Sequence, residues 1–225
     1  MTPILRTLRH RLIVSCQPVI GGPMDRPDIV AAMALAALAG GAAGLRIEGL
    51  TNLRAVRAAT DAPVIGLVKR SDPSMEVFIT PLEADVAALV AAGATIVAFD
   101  GTRRDRPASV RALIAAAHAA GALAMADSAD LEDARAAAHH GADILGTTLS
   151  GYTGGNVPED PDLTLVAACA ALGRPVLAEG RYRTPEQAAD AIAAGAFAVV
   201  VGSALTRIEH AASWFAAAIA AAARL

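Results

Sequence analysis

The chain has 225 residues, 55 % of them hydrophobic, and a formal net charge of −3 at pH 7. A chain of this length fits one domain that buries roughly 70 % of the surface exposed by its unfolded state. Its charges are mixed rather than clustered, and no apolar run approaches the ~18 residues of a membrane span, so we expect neither nucleic acid nor a membrane as partner.

The N-terminal segment and the cysteines indicate a cytoplasmic protein. Residues 1–11 hold three arginines, but no long apolar region with a small-residue cleavage site follows them, so we expect no signal peptide. Cys16 and Cys169 are too few for a disulfide framework, and we interpret both as small buried hydrophobic residues.

Short apolar runs alternate with alanine-rich segments along the whole chain. The runs lack polar alternation, which is typical of strands buried on both faces. Eight runs predict strands, at Leu12–Cys16, Ala43–Ile47, Pro63–Val68, Thr95–Phe99, Leu123–Ala126, Ile144–Gly146, Pro175–Ala178 and Phe197–Val201. The alanine-rich segments predict helices, among them Asp28–Ala39, Leu82–Ala91, Ala108–Ala120, Leu131–His140, Leu163–Leu172 and Pro185–Ala194.

A repeated junction supports a closed barrel. Gly-Ala pairs begin at Gly93, Gly121, Gly141 and Gly195, where a helix would end and positive φ is needed. Eight alternating units predict a single (β/α)₈ TIM barrel over residues 1–225. The first run is not followed by a GxGxxG motif, which argues against a dinucleotide-binding fold.

The chain ends in a predicted helix over Glu209–Leu225 that carries Trp214 and Phe215. We expect these two aromatic residues to cover the barrel. A contact with a second subunit is the alternative.

Active sites of such barrels lie at the C-terminal ends of the strands. Seven of the eight runs end in a charged or hydrogen-bonding side chain, and the eighth ends in Gly-Ser. Ordinary loops begin more often with Gly, Asn or Ser than with Arg, Lys or Glu. We therefore interpret these residues as a functional site rather than as residues that merely begin loops. The residues are Gln17, Arg46, Lys69, Asp100, Asp127, Thr147 with Thr148, Glu179, and Gly202 with Ser203.

The last two strand ends predict a phosphate site. Gly180 and Gly202 would let the backbone approach a ligand closely, and Ser203 would begin a short helix. Loops after strands seven and eight commonly hold phosphate in this fold, and Arg207 lies one helical turn further on. Simple turn residues are the alternative.

Lys69 is the only lysine beside 18 arginines, and it directly follows the third apolar run. A lysine acts as a base only when neutral, so burial or a nearby cation such as Arg46 must lower its pKa. Arginine cannot take this role, because guanidinium stays protonated in proteins. An ordinary solvated lysine is the alternative.

Other charged residues carry weaker signals. No set of His, Cys and carboxylate residues has metal-ligand spacing, so we expect no metal site. Arg103, Arg104 and Arg106 follow Asp100 and form either a solvated loop or a contact at the barrel mouth. The five histidines, His210 among them, are interpreted as surface residues or as lying near the chain ends.

Several segments of the sequence resemble the N-acetylmannosamine-6-phosphate 2-epimerase family, in order from Leu12 to Arg207. They are residues 12–17 (LIVSCQ), 66–70 (GLVKR), 79–81 (ITP), 100–103 (DGTR), 147–153 (TTLSGYT), 178–181 (AEGR) and 199–204 (VVVGSA). Residues 18–23 (PVIGGP) and 47–50 (IEGL) depart from the expected pattern.

The resemblance implies a (β/α)₈ isomerase that interconverts N-acetylmannosamine 6-phosphate and N-acetylglucosamine 6-phosphate in sialic acid breakdown. It implies no metal or organic cofactor, and a homodimer. It also implies site roles: Lys69 transfers the proton, Glu179 is the second catalytic residue, and the substrate-binding positions are Gln17, Arg46, Asp127 and Arg207.

The residues fit this chemistry but leave alternatives. Inversion at C2 needs ring opening, removal of the proton beside the C1 aldehyde, and support for an enolate-like intermediate. One group or two could serve the two faces of the sugar. A Schiff-base aldolase with Lys69 as nucleophile and a non-catalytic sugar-phosphate binder are the competing functions.

Overall fold

The computed structural model describes residues 1–154 and 157–223, and its strands close into one parallel barrel in the order β1 to β8. The predicted (β/α)₈ barrel is therefore confirmed. The strands are β1 Leu12–Cys16, β2 Gly44–Glu48, β3 Val64–Leu67, β4 Ile96–Asp100, β5 Leu123–Asp127, β6 Ile144–Gly146, β7 Val176–Glu179 and β8 Ala198–Val201. Each lies within one or two residues of a predicted run.

The helices lie around the barrel, except that the first packs Leu5 and Leu8 against the residues inside it. They are α1 Pro3–Leu8, α2 Pro27–Ala39, α3 Leu50–Ala59, α4 Glu83–Ala91, α5 Val110–Ala119, α6 Leu131–His139, α7 Leu163–Ala170, α8 Pro185–Ala193, α9 Ser203–Thr206 and α10 Ile208–Ala222. In the described residues, no helix is long and apolar enough to cross a membrane.

The predicted helix-to-strand junctions are confirmed. Gly93, Gly121, Gly141 and Gly195 have φ of 105°, 84°, 99° and 102°, the left-handed conformation that glycine adopts without strain. This conformation turns each helix end back toward the next strand, so every strand starts from the same end of the barrel.

Alternation along the strands separates two hydrophobic layers. Leu45 and Ile47 on β2 pack outward against the helices, whereas Met125 on β5 and Leu177 on β7 pack inside the barrel. Because successive side chains of a strand point to opposite faces, Arg46, between two outward residues, points inward. Asp127 and Glu179, each two residues after an inward residue, also point inward, so the strand register assembles these three side chains inside the barrel.

The C-terminal helix corrects one prediction. No described residue of α10 is buried, and the side chain of Phe215 is 73 % exposed, so Phe215 does not cover the barrel. Helix α10 packs against the short helix α9 rather than against β8 or β1, so the Phe215 side chain stays exposed. Of the predicted range Glu209–Leu225, the last two positions lie outside the described residues.

Candidate active site

A cleft of about 520 Å³ opens at the C-terminal end of the barrel. Of the predicted site residues, Asp100, Asp127 and Thr147 do not line it. Those that do are Gln17, Arg46, Lys69, Thr148, Glu179, Gly180, Gly202, Ser203 and Arg207. The strand ends therefore converge on one cavity, as the sequence indicated.

A buried arginine lies at the floor of the cleft between two carboxylates. Arg46 donates from Nη2 to Asp127 Oδ2 at 2.6 Å and from Nη1 to Asp127 Oδ1 at 3.2 Å. Its Nη1 also lies 2.8 Å from Glu179 Oε2. The side chains of Arg46 and Asp127 are 1 % and 0 % exposed, whereas that of Glu179 is 13 % exposed. Glu179 is thus the carboxylate that a ligand in the cleft can reach.

Two threonines after β6 hold Glu179 in place. The Thr148 hydroxyl lies 2.7 Å from Asp127 Oδ1 and 3.2 Å from Glu179 Oε2, so it can donate to either carboxylate. Thr147 Oγ1 donates to the Glu179 carbonyl at 3.0 Å and accepts the Glu179 N–H at 3.1 Å. Both the backbone and the carboxylate of Glu179 are therefore fixed before any substrate binds.

Burial and the neighbouring charges shift the pKa values of Arg46 and Glu179. Burial opposes the charge on Arg46, but the carboxylates of Asp127 and Glu179 outweigh it and raise the Arg46 pKa. Burial raises the pKa of Glu179, Arg46 lowers it in part, and the charge of Asp127 raises it further. The net direction is upward, so Glu179 holds a proton more readily than an ordinary glutamate.

Lys69 stands at the edge of the same cleft, two residues beyond β3. Burial lowers its pKa, and the positive charges of Arg207 and Arg46 lower it further. Glu48 and Glu179 act in the opposite direction without reversing the shift. Among the described residues no carboxylate lies within ion-pairing distance, 4.0 Å, of its ammonium, so the amine is available to a ligand and is more easily neutralised than a solvated lysine.

The segment after β3 folds back over Lys69. Lys69 and Ile79 form an antiparallel bridge, flanked by bonds from Arg70 N–H to Phe78 O at 2.9 Å and from Thr80 N–H to Val68 O at 2.8 Å. Thr80 is fully buried with φ of 45°, and its hydroxyl accepts the Val68 N–H at 3.2 Å. These bonds fix the backbone that carries Lys69 and bring Phe78 and Ile79 into the cleft.

Gln17 and Arg207 meet on the side of the cleft formed by β1 and β8. Arg207 Nε donates to the Gln17 carbonyl at 2.8 Å, and Gln17 Nε2 donates to Ser15 Oγ at 2.9 Å. Thr206 Oγ1 donates to the Ser15 carbonyl at 2.7 Å. The Arg207 guanidinium is thereby held beside Lys69, where it accounts for part of the lowered pKa.

Two glycine turns follow the neighbouring strands β7 and β8. Gly180 has φ of 118° and Arg181 has φ of 64°, so the chain turns sharply after β7. A Cβ on Gly202 would lie 3.3 Å from Ser15 Cβ, which explains a glycine at the end of β8. Ser203 begins α9, whose first N–H groups have no helical carbonyl to bind.

Asp127 and Asp100 lie at strand ends without lining the cleft. Asp127 lies behind Arg46. Asp100 is 1 % exposed and accepts bonds from Arg104 Nη2 at 2.6 Å and Arg106 Nη2 at 2.8 Å. Arg103 contacts Asp130, which caps α6, and Asp133 in the first turn of that helix. The arginine cluster thus anchors the loop after β4 and is neither a free solvated loop nor a contact at the mouth.

Several residues that line the cleft were not predicted as site residues. They are Phe78, Ile79, Tyr152, Arg183 and Trp214, together with His210, which the sequence placed only near the chain end. Arg183 lies over the Trp214 ring, 4.8 Å from its centroid, and Arg181 lies 5.5 Å from that of Tyr152. None of them ends a strand, so the rule that selected the other residues could not find them. Within residues 1–154 and 157–223, no group of three or more His, Cys, Asp or Glu residues could hold a metal ion.

Comparisons with known proteins agree on one family. Residues 30–221 match the family model described as "Putative N-acetylmannosamine-6-phosphate epimerase". A relative from Yersinia pseudotuberculosis serotype O:3 (strain YPIII), named "Putative N-acetylmannosamine-6-phosphate 2-epimerase", is 59 % identical over 219 residues. The match covers 96 % of this chain and 94 % of the relative. A Yersinia pestis protein of the same name matches equally well.

Solved structures support the same assignment. The N-acetylmannosamine-6-phosphate 2-epimerase from Clostridium perfringens superposes with a TM-score of 0.92 at 36 % identity, covering 96 % of each chain. Thiamine phosphate pyrophosphorylase from Pyrococcus furiosus has a TM-score of 0.60 at 18 % identity, which indicates a shared fold only. On the family match and the near full-length identity, this chain belongs to the N-acetylmannosamine-6-phosphate epimerase family.

Proposed function

We propose that this protein is an isomerase, N-acylglucosamine-6-phosphate 2-epimerase, that interconverts N-acetylmannosamine 6-phosphate and N-acetylglucosamine 6-phosphate in sialic acid catabolism. The substrate is inferred from the names of its relatives. One structural observation supports the chemistry most directly: the only lysine lies in the cleft with a lowered pKa, free of any carboxylate within 4.0 Å among the described residues.

Lys69 is the proton-transferring residue in this proposal. After ring opening, C2 lies beside the C1 aldehyde, and a neutral amine can remove its proton. Its lowered pKa raises the fraction of neutral amine near pH 7, which an arginine could not supply. The positive charges of Arg46 and Arg207 favour the enolate-like oxygen that develops as the proton leaves.

Glu179 is the second catalytic residue and moves the proton needed for ring opening. Its raised pKa lets it take up a proton more readily than an ordinary glutamate, and its partial exposure lets it reach the sugar. Its contacts with Arg46 and Thr148 fix its orientation. Asp127, with no exposed side-chain surface, supports substrate binding through Arg46, while Gln17 and Arg207 contact the sugar from the other wall.

The phosphate is proposed to bind at the glycine turns after β7 and β8. Gly180 and Gly202 leave room for close approach, and Ser203 offers a hydroxyl and a backbone N–H at the start of α9. Arg183 also lines this end of the cleft and would add a positive charge. The reaction as proposed needs no metal and no organic cofactor.

We further propose a cytoplasmic homodimer, each subunit a single barrel domain over residues 1–225. The support for association is the apolar surface of the C-terminal segment: the side chains of Leu205, Ile208, Phe215 and Ile219 are 56 %, 58 %, 73 % and 69 % exposed. A second copy that covers this surface would bury it. Light scattering on the wild type and on Phe215→Glu tests this, with a dimer and a monomer as the expected results.

The function is tested by NMR with N-acetylmannosamine 6-phosphate in deuterated water. We expect N-acetylglucosamine 6-phosphate to form with deuterium at C2. Borohydride distinguishes the aldolase, because it would trap a Schiff base on Lys69 and inactivate the enzyme when a keto or aldehyde sugar phosphate is present. Binding of the sugar phosphate without turnover would instead support a non-catalytic binding protein.

A further inference from the structure

Glu48, the last residue of β2, lies beside Lys69 but belongs to no part of the mechanism above. Its Oε1 accepts the backbone N–H of Lys69 at 3.3 Å, and the two residues share a small cleft with Asn52 and Arg207. No ion pair within 4.0 Å engages Glu48 in residues 1–154 and 157–223. Its carboxylate is therefore not neutralised by a neighbouring cation of its own.

The hydrogen-bond pattern between β2 and β3 explains why the Glu48 side chain accepts the Lys69 N–H. Residues of β2 donate to β3 at Leu45 N–H to Pro63 O, 3.0 Å, and at Gly49 N–H to Leu67 O, 2.9 Å. Continued by one rung, this parallel pattern would bring the Lys69 N–H to the Gly49 carbonyl. That carbonyl instead accepts the Leu53 N–H at 2.9 Å, the first bond of α3.

Gly49 makes this exchange possible. Its φ of 86° turns the chain from β2 directly into α3, so the backbone leaves the sheet before it can pair with Lys69. The Lys69 N–H would then lack a partner, and leaving a partly buried N–H unpaired destabilises the folded chain. The Glu48 carboxylate replaces the missing backbone acceptor.

We propose that Glu48 is a positioning residue for Lys69: it holds the Lys69 backbone at the end of β3 and keeps an unneutralised negative charge beside the amine. The other charged groups around Lys69 are Arg46 on β2, Glu179 on β7 and Arg207 after α9, with Asp25 in the small cleft. The two arginines favour the neutral amine. Glu48 opposes them and lets Lys69 carry the proton between its removal from C2 and its return.

The charges around Lys69 support this balance. Among the groups that raise the Lys69 pKa, Glu48 has a larger effect than Glu179. Glu179 is itself bound to Arg46 at 2.8 Å, so its charge is largely compensated. Glu48 is the carboxylate whose charge remains available to Lys69.

A direct titration of Lys69 tests the proposal. Because the chain has a single lysine, labelling with [13Cε]lysine gives one side-chain NMR signal, and its shift against pH yields the Lys69 pKa in the protein without substrate. We expect Glu48→Gln, which keeps an oxygen acceptor but removes the charge, to lower that pKa. The matched control is Glu132→Gln, at a side chain 57 % exposed on α6, which should leave it unchanged.

Steady-state kinetics of two Glu48 variants distinguish the effect of its charge from its effect on the position of Lys69. This test rests on the proposed epimerase function. In Glu48→Gln the acidic limb of the pH profile of kcat/KM should move to lower pH, because the neutral amine persists there. Glu48→Ala also removes the acceptor, and kcat should fall on the order of tenfold to hundredfold as Lys69 loses its alignment. A Lys69 pKa equal in Glu48→Gln and wild type would overturn the proposal. A wild type that titrates as expected but does not epimerise the sugar phosphate would instead overturn the proposed function.

Discussion

Asp127→Asn removes the deepest charge of the site, and its effect can be worked out from three hydrogen bonds. The carboxylate accepts from Arg46 at 2.6 Å and 3.2 Å and from Thr148 at 2.7 Å. An asparagine offers one oxygen in place of two, and its NH₂ group would face a donor. Arg46, 1 % exposed, would keep only Glu179 as a charged partner.

Removing one partner of a buried ion pair typically costs about 3–5 kcal/mol. Because Glu179 still compensates Arg46, we expect the lower end, about 3 kcal/mol, for the loss in free energy of unfolding of Asp127→Asn. For a chain of this size, that loss lowers the Tm by about 6–12 °C. We also expect kcat to fall on the order of tenfold or more, since Arg46 and Glu179 lose their fixed geometry.

The assay is thermal and urea unfolding by circular dichroism, with Asp130→Asn as the matched control. Asp130 is 55 % exposed, pairs with an exposed arginine and caps α6, a role that asparagine fills equally well. The control should lose less than about 1 kcal/mol. Equal losses of Tm in the two variants would refute the view that the buried Asp127–Arg46 ion pair stabilises the fold more than an exposed pair does.

The remaining predictions concern the cleft itself. Glu179→Gln should retain the fold but lower kcat by about 10²–10⁴-fold, because an amide cannot move the ring-opening proton; steady-state kinetics at several pH values measure this, and a kcat near that of the wild type would argue against the role. Thr148→Val removes the hydroxyl between two carboxylates; the loss in free energy of unfolding should be about 1–3 kcal/mol, and urea unfolding that matches the wild type would contradict it. Gly180→Ala places a Cβ at φ of 118°; we expect a loss of about 1–3 kcal/mol with a raised KM for the sugar phosphate, and an unchanged KM would speak against phosphate binding at this turn. The acidic limb of kcat/KM should reflect a lysine titrating below its ordinary value of 10.5, because burial, Arg207 and Arg46 favour the neutral amine; a limb at or above that value would contradict this.

The barrel could be predicted because its strands are buried on both faces. The runs Leu12–Cys16, apolar except for Ser15, and Ile144–Gly146 recur unchanged as strands. Helices α1 and α3 gave no comparable signal. The first has only six residues, and α3 mixes polar and apolar residues and buries just Leu53 and Val56.

The residues that line the cleft could be predicted as far as strand ends define them. What could not be predicted depends on contacts between distant segments. The fold-back after β3 needs Thr80 in a left-handed conformation that β-branched residues avoid, so local preferences argue against it. The burial of Arg46 between Asp127 and Glu179 follows from the register of three strands, which the sequence pattern does not give. The exposure of Phe215 depends on where α10 lies after the ring is complete.

Exchange of the C2 hydrogen tests the central claim most directly. Wild type and Lys69→Arg are each incubated with N-acetylmannosamine 6-phosphate in deuterated water, and deuterium at C2 is followed by NMR, with circular dichroism to verify that both are folded. Lys69 as the proton-transferring group predicts rapid exchange in the wild type and none above background in Lys69→Arg, because guanidinium does not give up its proton. Exchange at C2 by a folded Lys69→Arg variant at a rate near that of the wild type would contradict the account.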